Sequence, residues 1–178
     1  MIIRTDAVSL RTIDYGETSQ IVTLYTRSHG KMAVLAKGAR RIKSKFGASL
    51  QPMSYSQVVF YHKPSRQLQT LSESSCIQPM PDLTRHLDKI TIGLRIVELM
   101  NVLMHEAEPN PTAFNLLLQS LFCLEQATEH ATNIFPYFQM RMAHVLGFAP
   151  SFTREDVEAI TEDGGQLALH QGTIHRQK

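Results

Sequence analysis

The sequence predicts a multi-domain α+β fold in which a small closed five-stranded barrel precedes an α-helical bundle. Two observations support this fold class. The first 78 residues contain short segments rich in β-branched and aromatic side chains, whereas the apolar residues that follow recur at helical spacing. The stretch "QPMPDL" (78–83), with two prolines, separates the two patterns. We therefore expect a barrel domain in residues 1–78, a helical domain in 79–150 and a C-terminal segment in 151–178.

The predicted strands are short and are separated by turn sequences such as "DYGETS" and "SHG". They cover residues 6–13, 20–26, 31–38, 57–62 and 68–74. Five strands in so short a chain favour a closed barrel, because the chain cannot cover both faces of an open sheet. The connection between the third and fourth strands, residues 39–56, is long, and loops of that length tend to be functional or disordered.

Helical spacing begins after the prolines. Asp82 or Thr84 is a possible N-cap for a first helix, whose expected buried stripe is Leu87, Ile90, Leu94, Val97 and Met104. Asn110 followed by Pro111 is a stronger start signal for a second helix. A third helix begins near residues 132–133 and ends at Gly147. The short connections predict an antiparallel bundle.

Charge is distributed unevenly along the chain, although the formal net charge is only +2. Residues 1–75 carry 11 Lys and Arg against 4 Asp and Glu, a balance of +7. Residues 76–178 carry 7 against 12, a balance of −5. A basic unit followed by an acidic one points to a polyanion as a partner of the first unit.

The basic charge is concentrated in "KGARRIKSKFG", residues 37–47, which holds five cations and no acid. By charge alone, a solvated surface and a nucleic-acid contact are about equally probable. Proteins that bind single strands on small barrels combine a cationic groove with aromatic rings, and Tyr15 and Phe46 are candidate stacking residues. Tyr25 and Phe60 are expected in the core. The glycines do not have the spacing of a phosphate-binding loop.

Other chemistry is not indicated. No nucleophile, base or close carboxylate pair stands out, so the chain is not expected to be an enzyme. Cys76 and Cys123 are expected to be buried thiols, and His170 and His175 have no metal-site spacing. We expect neither a cofactor nor a metal. No segment is apolar enough to span a membrane, and the cytoplasm is the expected compartment.

Three stretches resemble the RecO family of recombination mediators. They are "DYGETSQIVTLYTRSHGKMAVLAKGARRIKSKFGASLQP" (14–52), "FYHKPSRQLQTLSES" (60–74) and "RMAHVLGFAP" (141–150), and the resemblance covers roughly residues 1–150. It implies an N-terminal OB fold, a helical domain and a role in DNA repair by homologous recombination. Members bind single- and double-stranded DNA, anneal complementary strands and help RecR load the RecA recombinase. The resemblance also implies a cytoplasmic, nucleoid-associated bacterial protein.

The resemblance assigns DNA binding to Lys37, Gly38, Arg40, Arg41 and Lys43, with Arg27 and Lys31 on the preceding hairpin. Our full set of expected DNA contacts is Arg27, Lys31, Lys37, Arg40, Arg41, Lys43, Lys45, Phe46, Lys63 and Arg66. Many family members have a four-cysteine zinc site after "GFAP", but residues 151–178 contain no cysteine. The family zinc is therefore expected to be absent. Members usually continue further, so we expect a truncated chain.

A second function remains open from the sequence. The chain could be an adaptor whose main ligand is the acidic tail of single-strand-binding protein, with DNA contact secondary. The candidate receptors for that tail are the helical-domain cations Lys89, Arg95 and Arg141.

Overall fold

The computed structural model describes residues 1–150 and the backbone of two further strands, at 165–168 and 173–176. The chain forms two compact units, Met1–Phe138 and Gln139–Lys178. The predicted boundary near residue 78 falls at the end of a strand. The barrel and the first helices lie together in the first unit.

The predicted barrel is present, with all five strands close to their expected positions. The strands are β1 (Ile2–Tyr15), β2 (Ser19–Thr26), β3 (Gly30–Ala36), β4 (Tyr55–Tyr61) and β5 (Leu68–Gln78). They pair in the order β1-β2-β3-β5-β4, and β4 closes the barrel on β1. Only the β3–β5 pair is parallel. A closed five-stranded barrel of this kind is the OB-like architecture that the family resemblance implied.

β1 closes the barrel because it is long enough to pair on both sides. Its first half, Ile2–Val8, pairs with β4, and its second half, Ala7–Tyr15, pairs with β2. The register with β2 shifts between Ser9 and Arg11, as at a β-bulge, which bends a strand and increases its twist. The barrel core contains alternate side chains of the strands, among them Val22, Val34 and Phe60.

The helical region contains α1 (Pro81–Arg85), α2 (Leu87–Leu103), α3 (Pro111–Gln126) and α4 (Ile134–Val145). The predicted N-cap of α3 is confirmed, because the side chain of Asn110 accepts a hydrogen bond from the Ala113 N–H at 3.0 Å. The prediction of Asp82 or Thr84 as the N-cap of the first helix is wrong. The carboxylate of Glu125, on α3, instead accepts the Asp82 and Leu83 N–H groups at the start of α1.

The expected buried stripe of α2 is partly wrong. Val97 and Met104 are buried, but Leu87 and Leu94 are exposed. The helix instead buries the face that contains Ile92, Ile96 and Met100.

Helices and barrel pack through aromatic contacts within the first unit. Tyr25 on β2 stacks on Phe114 of α3 with ring centroids 6.1 Å apart. Tyr55 on β4 meets Phe122 edge-on at the same distance. Tyr25 is therefore buried as predicted, but against a helix. Burial raises its pKa to about 12, because the ionised phenol would lose its water.

Both cysteines are exposed, which corrects the expectation of buried thiols. Cys76 lies near the end of β5, where the side chains leave the barrel, and Cys123 lies on an outer face of α3. In the C-terminal unit, β6 (Gly165–Ala168) and β7 (Thr173–Arg176) form an antiparallel pair. The helical turn predicted in "REDVEAI" (154–160) lies outside the described residues. Within the described part of the chain, no helix is long and apolar enough to cross a membrane.

Candidate nucleic-acid interface

The basic loop, residues 37–45, leaves the barrel at the end of β3 and consists of consecutive turns. The Arg41 N–H bonds to the Gly38 carbonyl at 3.1 Å, and the Ser44 N–H bonds to the Arg41 carbonyl at 2.9 Å. Gly38 has a φ of +73°, a conformation that glycine adopts without steric cost. These turns use the backbone groups locally and leave the side chains to point outward.

Arg40 attaches the loop to the neighbouring β1–β2 turn. Its N–H bonds to the Thr18 carbonyl at 2.9 Å, and its guanidinium lies 3.3 Å from the Gly16 carbonyl oxygen. The guanidinium also forms an ion pair with Asp14 at 3.3 Å. Arg40 therefore positions the loop, although its side chain keeps 39% exposure.

Phe46, a candidate stacking residue from the sequence, holds the other end of the loop. Its side chain is only 3% exposed and belongs to the barrel core with Leu50 and Leu71. The Ser49 hydroxyl donates to the Phe46 carbonyl oxygen at 2.6 Å. Burial of an aromatic ring releases more free energy than exposure in a cationic loop would. Phe46 therefore fixes the loop to the barrel, and its ring is not available to stack on a base.

Around these two attachments the loop displays exposed cations. Lys37, Arg41, Lys43 and Lys45 are all exposed, and none has an ion pair or a side-chain hydrogen bond to another residue in 1–150. The one apolar side chain among them, Ile42, is fully exposed. Unpaired cations on a loop that is held at both ends form a positive surface that phosphates can approach.

The hairpin cations have a different environment. The Arg27 guanidinium lies 4.5 Å from the centroid of the Phe114 ring, donates to Asn115 Oδ1 at 2.9 Å and pairs with Asp6 at 3.5 Å. The Lys31 ammonium donates to the Asn101 carbonyl oxygen at 2.7 Å. Both side chains are half-buried and join the β2–β3 hairpin to the helices. The structure therefore does not support Arg27 and Lys31 as DNA contacts.

Lys63 and Arg66 lie on the β4–β5 turn and are exposed. Arg66 lines a hollow of about 420 Å³ together with His29 and His62. The two imidazole rings are 6.0 Å apart. Burial lowers the pKa of His29, and the neighbouring His62 lowers it further. Lys63 and Arg66 lie on a different turn from the basic loop, so the remaining expected DNA contacts form two separate clusters.

Among the helical-domain cations, the structure does not support Lys89 as a receptor for an acidic tail. It is 7% exposed and its ammonium donates to the Glu125 carbonyl oxygen at 2.8 Å, so it cannot receive an acidic tail without breaking that contact. Arg95 is exposed, with its guanidinium 4.1 Å from the centroid of the Phe135 ring. Arg141 is exposed on α4.

Two acids with structural roles were missed by the sequence reasoning. Asp14, the first residue of "DYGETS", pairs with Arg40. Glu125 was not considered at all, yet its carboxylate caps α1. The sequence signal for Asp14 was its position at the end of β1, next to the β1–β2 turn that contacts Arg40. For Glu125 no local signal existed, because its partners are more than 40 residues away.

The expected absence of the family zinc site stays a prediction. Such a site needs several soft ligands close together, whereas the two cysteines lie on β5 and α3, before the "GFAP" sequence. Within the described residues, no group of three or more His, Cys, Asp or Glu side chains is arranged to hold a metal ion. Residues 151–164, where the family cysteines would be expected, lie outside the described part of the chain.

Comparisons with known proteins support the resemblance along nearly the whole chain. The family model "Recombination protein O N terminal" matches residues 1–80, and "Recombination protein O C terminal" matches residues 85–169. The chain is 57% identical to the DNA repair protein RecO of Salinibacter ruber over 174 residues, 98% of this chain and 67% of that protein.

More distant relatives have the same name. The RecO proteins of Bacillus pumilus and Chloroherpeton thalassium are 37% and 33% identical, over 84% and 86% of this chain. This chain spans 57% and 60% of the length of those two relatives. Both family models, the identity and the closed barrel agree. This chain therefore belongs to the RecO family of DNA repair proteins.

Proposed function

We propose that the chain binds single- and double-stranded DNA through the phosphates, with the basic loop as the main contact. The observation that carries this proposal is the set of exposed, unpaired cations on a loop held at one end by Arg40 and at the other by Phe46. A loop with a fixed base loses little conformational entropy when phosphates bind to it. Contacts to phosphates carry no sequence information, so the binding should be largely independent of sequence.

Strand annealing is the activity that such a surface supports. Two complementary strands repel each other through their phosphates, and a cationic surface that neutralises part of both charges reduces that repulsion. No bond is made or broken, so we propose a mediator without a catalytic role and without a cofactor. That the mediator works with RecR to help load RecA rests on the family resemblance alone.

The test is a salt titration of DNA binding with charge-matched variants. Arg41→Ala/Lys43→Ala removes two loop cations, and Arg4→Ala/Arg11→Ala removes two exposed cations from β1. We expect the loop variant to bind more weakly. Its slope of log K against log salt should be flatter by about 0.7 per residue on single strands and about 0.9 on duplex. The β1 variant should keep the slope of the parent. Equal slopes for the two variants would overturn the assignment to the loop.

The adaptor function has less support from the structure than from the sequence, because the Lys89 ammonium is hydrogen-bonded to the Glu125 carbonyl oxygen. It would depend on Arg95 and Arg141. Titration of a labelled acidic tail peptide against the whole chain, with Arg95→Ala as the variant, tests it directly. Binding that survives in the loop variant and is lost in Arg95→Ala would favour the adaptor function.

A further inference from the structure

A cleft of about 350 Å³ begins where the basic loop ends. The residues that line it include Phe46 and Ala48, Ser74 and Cys76 of β5, and Met80 at the β5–α1 connection. The surface of the cleft is mainly apolar. Its volume is at the lower end of the range for sites that bind small molecules.

The charges around the cleft favour a polyanion with an apolar side group. The Lys45 ammonium lies 5.2 Å from the centroid of the Phe46 ring, which lines the cleft. No Asp, Glu, Lys or Arg is among the lining residues, all of which lie within the described part of the chain. A strand whose phosphate contacts Lys45 would therefore place its base beside an uncharged cavity. An acidic peptide would need cations among the residues that line the cleft, and none of these residues is a Lys or Arg.

The polar groups of the cleft also fit the edge of a base. Gln78 lines the cleft, is exposed and makes no side-chain hydrogen bond to another residue in 1–150. An amide of this kind offers both a donor and an acceptor. The Ser49 hydroxyl gives its one proton to the Phe46 carbonyl oxygen, so the Ser74 hydroxyl donates to Ser49 Oγ and offers a base its oxygen as an acceptor. Because both groups can pair with any base edge, they would hold a base without selecting it strongly.

We propose that this cleft is a nucleobase-binding site, which receives one unstacked base of a single strand whose phosphates contact the basic loop. This inference rests on the proposed DNA binding and adds a feature that phosphate contacts alone do not give. Burial against the apolar lining of the cleft favours a base that is out of a duplex, because a paired and stacked base cannot enter it. The cleft therefore makes single strands better ligands than duplexes of equal charge.

Cys76 and Cys123 give a direct test, because they are the two thiols of the chain and both are exposed. Cys76 lines the cleft and Cys123 does not. Alkylation of each thiol by iodoacetamide is followed by mass spectrometry with and without a saturating thymidine oligonucleotide. We expect the oligonucleotide to slow alkylation of Cys76 and leave Cys123 unchanged. An abasic oligonucleotide of the same length, which has phosphates but no bases, should bind without protecting Cys76.

A second measurement uses single-cysteine variants. Cys123→Ser leaves Cys76 as the only thiol, and Cys76→Ser leaves Cys123. A bulky maleimide on Cys76 should weaken binding of the thymidine oligonucleotide about tenfold, because one base then loses its apolar contacts in the cleft. It should leave binding of the abasic oligonucleotide unchanged. The same adduct on Cys123 should affect neither.

The outcomes distinguish the two proposals. If neither oligonucleotide binds, the DNA-binding function fails. If both bind with equal affinity and Cys76 reacts at its unliganded rate, DNA binding stands and the base site is overturned. If an acidic peptide protects Cys76 and the thymidine oligonucleotide does not, the cleft is a peptide site and the base site is likewise overturned.

Discussion

Two groups of cations follow each other in the sequence and have opposite surroundings in the fold. Arg27 and Lys31, on either side of the β2–β3 turn, bond to residues of the helical region. Arg41 and Lys43, in the loop after β3, extend outward without a partner in residues 1–150. The comparison shows that a positive balance over a whole domain does not locate a binding surface. Charge that is already neutralised by carboxylates, carbonyls and ring faces contributes to stability, and the remaining charge is available to a ligand.

The largest expected difference between the two regions concerns their glycines. In the hairpin, Gly30 has a φ of +65° and its Cα lies against the backbone of Glu108, so that an added Cβ would overlap it. At the start of the basic loop, Gly38 has a φ of +73°, but a Cβ there would meet only the Arg41 side chain, at 3.5 Å.

Gly30→Ala should therefore lower the free energy of unfolding by about 2–5 kcal/mol, the sum of backbone strain and overpacking. Gly38→Ala should cost only the strain, about 1–2 kcal/mol. Urea unfolding of both variants measures the difference. Equal losses would show that the hairpin is not packed as tightly as the structure has it.

A second contrast compares Arg27 with Arg41 in two measurements, the free energy of unfolding and the affinity for DNA. Arg27→Ala removes a charged hydrogen bond, an ion pair and a cation–π contact, and should lower the free energy of unfolding by about 1–3 kcal/mol. Arg41→Ala should change it by less than about 0.5 kcal/mol. For the slope of DNA affinity with salt, the order should reverse.

Arg27→Lys is the control for charge. It keeps the positive charge but loses the planar guanidinium that stacks on Phe114. We expect it to be destabilised nearly as much as Arg27→Ala and to keep its DNA binding. If Arg27→Lys were as stable as the parent and Arg27→Ala lost the salt slope, Arg27 would be a DNA contact after all.

The sequence predicted the parts of this structure that depend on local pattern. All five strands and the Asn110 cap follow from neighbouring residues, and their positions were confirmed. What could not be predicted depends on distant residues. Leu87 and Leu94 fit a helical stripe as well as Ile92 and Ile96 do, and only the position of the partner surface determines which face is buried.

The same limit applied to the candidate site. The cationic pattern located the loop, but an aromatic ring beside cations is equally suitable as a stacking residue and as a core residue. Phe46 is buried because the core has room for it next to Leu50 and Leu71. Lys89 looked like a surface cation because nothing near it in sequence indicates the Glu125 carbonyl, 36 residues away. The two groups of cations therefore differ in their contacts with residues that are distant in sequence. The residues next to each cation do not indicate these contacts.

A smaller effect should appear when the pH is lowered. His29, on the β2–β3 turn, has a pKa below its ordinary value of 6.5, because burial disfavours the charged ring and His62 faces it. The folded protein thus binds fewer protons at this site than the unfolded chain near and below pH 6.5. Stability should be highest above pH 6.5 and should fall as the pH decreases through the folded pKa.

His29→Asn should reduce this decline in an unfolding series between pH 7.5 and pH 5. The basic loop contains no group that titrates in this range, so Lys43→Ala should leave the pH dependence of the parent unchanged. An unaltered decline in His29→Asn would assign the effect to other groups.

The smallest effect concerns Arg40. It lies in the exposed basic loop, like Arg41, but it is engaged with other residues of the protein, like Arg27. Its ion pair with Asp14 is exposed, with 39% and 59% of the two side chains accessible, so a double-mutant cycle should give a coupling below about 1 kcal/mol. The consequence for DNA is larger than for stability. Asp14→Asn removes a negative charge beside the phosphate path and releases Arg40, so this variant should bind DNA more tightly than the parent at low salt. Arg40→Ala should bind less tightly, and the two changes together should lie between them. Tighter binding by Asp14→Asn that persists in the Arg40→Ala background would mean that Asp14 acts on the phosphates directly. Loss of the gain in that background would mean that it acts by holding Arg40 on the barrel.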